Sequence, residues 1–322
     1  MADAGMTVPP EPPSGPPAQQ PPAGGRYTVF RGPNGIRAGW RVLIYLAVGA
    51  VVFFVLLTGI GLIAGSRYPA FAQLTPLGTG ISEGFLFLLA AIPALIMARL
   101  ERRSFGVYGL PARSAFRGDF WMGGVAGFCS ISLSLLGIFA LRGFRITGLA
   151  IQGNAIPLAA AEWGLAFVLV GLAEEFSFRG YLQYTLTTGM GFWPSAALLS
   201  VLFAVAHARN PGESRPGLIS IVGFALLFCL FLERRGTLWL AVGFHTGWDW
   251  GQTFFYGVPD SGFPPYQNFF HCSFNGPAWL TGGTAGPEAS VFTPIVLAIV
   301  AILFAQVWRE VRYPADGNRR AG

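Results

Sequence analysis

The 322-residue chain has no lysine, only three histidines and three cysteines, and a charged fraction of 11% against a hydrophobic fraction of 53%. Each scarcity excludes something. A soluble domain carries about a quarter of its residues as Asp, Glu, Lys and Arg, so this balance, with a mean hydropathy of +0.53, reads as a membrane protein. The formal charge of +6 rests on arginines dispersed beside apolar runs, which argues against a nucleic-acid partner and for a lipid bilayer. Cys129, Cys229 and Cys272 are odd in number and scattered, so neither a disulfide framework nor a zinc–thiolate site is implied. The zinc pair H-E-x-x-H is absent, and no G-x-S-x-G or similar nucleophile segment is paired with a histidine at membrane depth.

What is present begins with a Pro-rich arm. The first 25 residues hold eight of the 24 prolines and almost no bulky apolar side chain, so residues 1–38 are expected to be a disordered Pro/Gly/Ala-rich cytoplasmic tail. A cleavable signal peptide needs a short apolar core near the start, whereas the first apolar run begins near Val42 and is long enough to span. At 1.5 Å per residue, about 20 apolar residues cross roughly 30 Å of hydrocarbon. Eight runs approach this length: approximately 41–64, 82–99, 119–141, 158–180, 193–208, 217–232, 237–257 and 290–308. Backbone polar groups cannot be satisfied by lipid, and runs this continuous favour helices over barrel strands. The expected fold is therefore all-α: a polytopic bundle of about eight transmembrane helices over 39–313, followed by a cytoplasmic tail, 314–322. Placing the N-terminus inside leaves sixteen arginines cytoplasmic and five outside, which predicts that both termini are cytoplasmic. No internal repeat is visible, which weakens a transporter built from duplicated halves.

A carboxylate at membrane depth costs a few kcal/mol and needs a partner or a purpose. Glu83, Asp119 and Glu162 lie near run ends and are read as interfacial; His271 falls in an external loop and is read as incidental. Glu174, Glu175, His207, His245 and Asp249 lie inside runs. Glu174 and His207 are 33 residues apart, and their midpoint falls in "TTGMGFWP", a Gly- and Pro-flanked turn. In an antiparallel hairpin each would stand about 25 Å from that turn, at matching height, if the fourth helix continues through "GYLQYTLTT". His245 and Asp249, four apart, share a helix face, as do Glu175 and Arg179, which suit an ion pair. Glu174, about 100° round the axis from Glu175, is free to face His207.

These residues fall into three motifs: "EEFSFR" fits E-E-x-x-x-R, "FAVAH" fits F-x-x-x-H, and "HTGWD" fits H-x-x-x-[ND]. In this order they resemble the CPBP (CAAX protease and bacteriocin-processing, or Abi) family of intramembrane endopeptidases, and are similar to type II CAAX prenyl proteases. The resemblance implies an eight-helix membrane endopeptidase with a protease-like core at about 156–257 and a pocket opening towards the cytoplasm. It implies that Glu174 and His207 activate water, that His245 and Asp249 stabilise the oxyanion, and that Glu175, Arg179 and Phe203 shape the site. Its expected partner is a membrane-associated or lipid-modified protein or peptide substrate. Asparagine stands at the last motif position in the eukaryotic branch. An ionised Asp249 cannot donate to an oxyanion, so it is protonated, acts through another group, or ligates a metal. Glu174, His207, His245 and Asp249 also make an N/O set for zinc or another divalent ion, so no cofactor or one metal are both open. The alternatives are a non-catalytic scaffold or bacteriocin-immunity-type protein, and a proton-coupled transporter. The arginine-only, Gly- and Ala-rich composition suggests a bacterial plasma membrane.

Overall fold

The computed structural model describes residues 28–32, 35–64 and 75–314; most of the expected N-terminal tail and nearly all of the C-terminal one lie outside these residues. The described part of the N-terminal stretch pairs β1 (Arg31–Gly32) with β2 (Gly35–Ile36) antiparallel. The helices then follow in order: α1 (Ala38–Ala64), α2 (Pro76–Leu100), α3 (Gly118–Ala140), α4 (Ala155–Arg179), α5 (Tyr181–Met190), α6 (Phe192–His207), α7 (Arg215–Arg235), α8 (Trp239–Asp249), the short α9 (Ala278–Thr281) and α10 (Phe292–Val307). Every apolar run of the sequence coincides with one of these helices. Five spans are long and apolar enough to cross a membrane, namely Ala38–Gly59, Pro76–Leu100, Gly118–Ala140, Ala155–Met190 and Arg215–Arg235, while α6 and α10 are shorter apolar helices. The protein is a polytopic all-α membrane protein. A small antiparallel pair, β3 (Phe144–Leu149) with β4 (Phe270–Phe274), ties two connections together and was not expected from the sequence.

One end of the bundle collects the arginines. Arg41 at the start of α1 bridges to Glu101 after α2 (2.6 Å), and Arg235 at the end of α7 bridges to Asp119 at the start of α3 (2.6 Å). The backbone N–H of Arg312, beyond α10, donates to Glu233 O, so both described ends of the chain lie at this end. The opposite end carries β3, β4 and the connections at 208–214 and 256–290.

Two local features place the functional helices. α4 and α5 are nearly continuous, interrupted at Gly180, where an added Cβ would press on Phe176 O and its ring. The turn into α6 is made at Gly191 with φ +89°, so the expected hairpin turn and the polar helical extension are both present. α8 is almost wholly buried and reaches its place through glycine. Gly123 and Gly127 on α3 face Gly243 and Gly247 on α8. A Cβ on any of the four would fall on a backbone oxygen of the other helix: Leu240 O, Phe244 O, Phe120 O or Gly124 O respectively. These are two small-xxx-small pairs whose crossing is set by backbone contact. Gly127→Ala and Gly247→Ala are therefore expected to destabilise the fold by about 1–3 kcal/mol through overpacking, seen as a lower melting temperature in detergent. Gly84→Ala in α2, with open space at its Cβ, is expected to be neutral or stabilising.

Candidate active site

Three helices bring the motif residues together. Glu174 and Glu175 sit near the end of α4, His207 is the last residue of α6, and His245 and Asp249 lie one turn apart on α8. Glu174 is central: Oε1 is 3.8 Å from His207 Nε2 and Oε2 is 3.6 Å from His245 Nε2. His245 Nε2 also lies 3.5 Å from Asp249 Oδ2. The hairpin geometry read from the sequence, with Glu174 level with His207, is the geometry observed. Asp249 stands where α8 passes into a π-helical turn, Trp250–Phe255; such turns recur at functional sites.

The two histidine rings are fixed from behind. His207 Nδ1 is 2.9 Å from Phe203 O, an acceptor, so Nδ1 carries the proton there and Nε2 faces Glu174. His245 Nδ1 is 3.0 Å from Glu175 Oε1, so His245 donates to Glu175 and turns Nε2 into the cavity. Glu175 and Arg179 are fully buried, with Arg179 Nη1 3.6 Å from the same Oε1. The Arg179 guanidinium lies 4.4 Å from the centre of the Phe203 ring. The expected Glu175–Arg179 pair is thus present, and so is a contact that spacing alone did not reveal: Glu175 holds His245 as well as Arg179.

The cavity between these groups has a volume of about 150 Å³, some five water volumes at about 30 Å³ each. Its lining includes residues the sequence reading had set aside. Glu83, taken as interfacial because the second run was begun at 82, lies two turns inside α2, whose true start is marked by Pro76 and by Thr75, whose Oγ1 accepts from Gly78 N. The Thr-Pro pair is a start signal that could have corrected this. Asp260, Ser261 and Glu288 line the cavity from the connection after α8 and carry no local motif. Thr253 Oγ1 donates to Asp260 (2.7 Å), and Gln252 and Ser261 donate to Glu288 (3.3 and 3.2 Å). Asn210, Asp260, Ser261, Phe263 and Glu288, which line the cavity, all belong to connections at the end opposite the arginines. Asp119 and Glu162 keep their bland reading, the first paired with Arg235 and the second exposed. His271 is exposed on β4, away from the cavity.

With this geometry in view, the comparison with known families is decisive for part of the chain. Residues 156–251 match the family model for the Type II CAAX prenyl endopeptidase Rce1-like proteins. This segment, about a third of the chain, is similar to the Rce1-like proteins. No curated protein matches the chain. The matched segment runs from the first turn of α4 to the turn after α8, and so contains all three motifs.

Among the described residues, no group of three or more His, Cys, Asp and Glu side chains is arranged to hold an ion. His207 Nδ1 and His245 Nδ1 are held by Phe203 O and Glu175, which leaves both Nε2 atoms facing Glu174.

Two measurements follow. Glu175→Ala leaves the buried Arg179 guanidinium without a counter-charge and is expected to cost about 3–5 kcal/mol in thermal unfolding, with Glu175→Gln losing less. Burial raises the carboxyl groups of Asp260 and Glu288 above the ordinary carboxylate range, and repulsion from Asp260 and Asp249 raises Glu288 further. The folded state then binds more protons than the unfolded one between the ordinary and the raised values. The stabilisation is complete below the ordinary range and is lost as pH rises through the raised values. Melting temperature is expected to fall with rising pH above the carboxylate range, and less steeply in Asp260→Asn/Glu288→Gln.

Proposed function

We propose that the protein is an intramembrane endopeptidase that hydrolyses peptide bonds of membrane-associated proteins with water activated by Glu174 and His207. The observation that carries this reading is the convergence of Glu174 on both His207 and His245 in one cavity. With Nδ1–H donated to Phe203 O, a neutral His207 presents a lone pair at Nε2, facing the Glu174 carboxylate. Two acceptors cannot bond to each other, but a water lying against both can donate to each. Glu174 then takes one proton as the water oxygen attacks the scissile carbonyl, and returns it to the departing amine. His245, held through Nδ1–H by Glu175, aims Nε2 at the same space and as the imidazolium donates to the developing oxyanion. Asp249, 3.5 Å from Nε2, acts through His245: its charge favours the proton on Nε2 that is donated to the substrate oxygen.

The substrate enters a lining of carboxyl groups. Glu83, Glu174, Asp249, Asp260 and Glu288 face the cavity and no arginine does. A free C-terminal carboxylate a few residues beyond the scissile bond would meet repulsion there, so a bond farther from the chain end, or one flanked by basic residues, suits the site better. The setting we infer is a bacterial plasma membrane.

Purified wild type, Glu174→Gln and His207→Ala are to be compared in detergent on fluorogenic peptides, with and without chelator. Either substitution is expected to lower kcat by about 10²–10⁴-fold, the usual range for loss of a general base. Chelator is expected to leave wild-type cleavage unchanged. Full activity in Glu174→Gln would sink the mechanism. Asp249→Asn is expected to keep most of its cleavage with an altered pH profile, and its collapse would assign residue 249 a proton or metal role instead. Amidated peptides are expected to be cut faster than the same sequences with free C-termini.

A further inference from the structure

A second cavity, of about 660 Å³, lies at the arginine-rich end, in the connection between α2 and α3 against the α7–α8 turn. Its lining joins Arg113 and Arg117 with the hydroxyl side chains of Ser104, Ser114 and Thr237, and contains no carboxylate. Four observations bear on what it holds. Arg113 and Arg117 are exposed and make no ion pair or side-chain hydrogen bond among the described residues. The nearest acid on the same helix, Asp119, is taken by Arg235 at 2.6 Å. Thr237, partly buried in the lining, has an Oγ1 with no hydrogen-bond partner among the described residues, a hydroxyl left free to bond. Arg117 is the N-cap of the 23-residue α3 and supplies no side-chain cap, so the first N–H groups of that helix are open to an acceptor.

The surroundings are those of a membrane interface. α2 ends at Leu100 and α3 begins at Gly118, so the cavity stands where two spans leave the bilayer. Leu100, Phe116 and Trp121, close in the chain to the lining residues, are 67%, 46% and 65% exposed and offer apolar surface to acyl chains at this end. Cation, hydroxyl and helix N-terminus together recognise a phosphate, and the apolar rim selects one that carries lipid chains.

We propose that this cavity binds the phosphate headgroup of an anionic phospholipid. The bound lipid braces the start of α8. The wall of the cavity is stitched to that helix by Leu238 N donating to Gly109 O (2.7 Å) and Trp239 Nε1 donating to Pro111 O (3.2 Å), and the next two turns of α8 carry His245 and Asp249.

The test uses the full chain in a neutral detergent, followed by thermal unfolding with added phosphatidylglycerol, phosphatidylcholine or inorganic phosphate. Wild type is compared with Arg113→Gln/Arg117→Gln and with Arg142→Gln/Arg145→Gln, a control of equal charge change at the opposite end. Phosphatidylglycerol is expected to raise the wild-type and control melting temperatures by several degrees, and that of the Arg113/Arg117 variant by less than half as much. Thr237→Val, which leaves the charge untouched, is expected to weaken the shift as well. Phosphatidylcholine is expected to do little. Three outcomes overturn the proposal: equal stabilisation by both lipids, an undiminished shift in the Arg113/Arg117 variant, or a full shift with inorganic phosphate alone, which would make the ligand a soluble anion. If the double variant does not purify, native mass spectrometry of wild type and Thr237→Val, counting retained phosphatidylglycerol, decides the same question.

Discussion

The position of α8 depends on backbone touching backbone. Within a bilayer there is no hydrophobic gain from bringing two helices together, since lipid chains are as apolar as leucine; association relies on close packing and on polar contacts. α3 and α8 meet over Gly123, Gly127, Gly243 and Gly247, where no side chain larger than hydrogen fits. On another face Gly171 of α4 admits Val242 O to 2.9 Å of where a Cβ would stand, and Thr246 Oγ1 donates to Phe167 O at 3.2 Å. Held from two sides, the short α8 cannot slide. His245, lying between Gly243 and Gly247, is therefore delivered at a fixed height to the carboxylates of α4.

A second constraint is the burial of Arg179. A guanidinium with no exposure would cost several kcal/mol unless its charge were answered. Glu175 answers it, and the faces of Phe203 and Phe228 lie 4.4 and 5.9 Å from the guanidinium carbon. The Glu175 oxygen nearest Arg179 is also the one that accepts from His245. Phe203, which stacks on Arg179, supplies the carbonyl that fixes His207. The buried arginine therefore reaches both histidines through one intermediary each, and the E-E-x-x-x-R and F-x-x-x-H motifs describe one connected structure.

Much of the bundle was legible because its signals are local. Apolar length gives spans, arginine placement gives one shared end for the described chain ends, and the symmetric distance of Glu174 and His207 from Gly191 gives their meeting. What the sequence hid is non-local. Glu83, Asp260 and Glu288 reach the cavity from a helix start misplaced by about two turns and from a long Gly- and Pro-rich connection with no periodicity. The Gly123/Gly127 and Gly243/Gly247 spacings were visible in the chain, yet glycine is frequent enough here, at 44 residues, that four more carry little signal before their partners are known.

The aspartate at position 249 is best understood through the charges around His245. Glu174, Glu175 and Asp249 all lie within 3.0–3.6 Å of its two ring nitrogens, and no other cation touches them in the cavity except through Arg179 behind Glu175. A residue placed to accept from Nε2 need not itself donate to a substrate oxygen. Where asparagine could offer its amide N–H directly, an ionised aspartate acts by favouring a proton on the neighbouring ring. The oxyanion donor on the proposed reading is then His245 alone, with the carboxylate behind it supplying the compensating charge. The same argument ties the chemistry to the packing: a donor that works through a 3.5 Å contact within one helix face retains its aim only while α8 stays seated on its glycines.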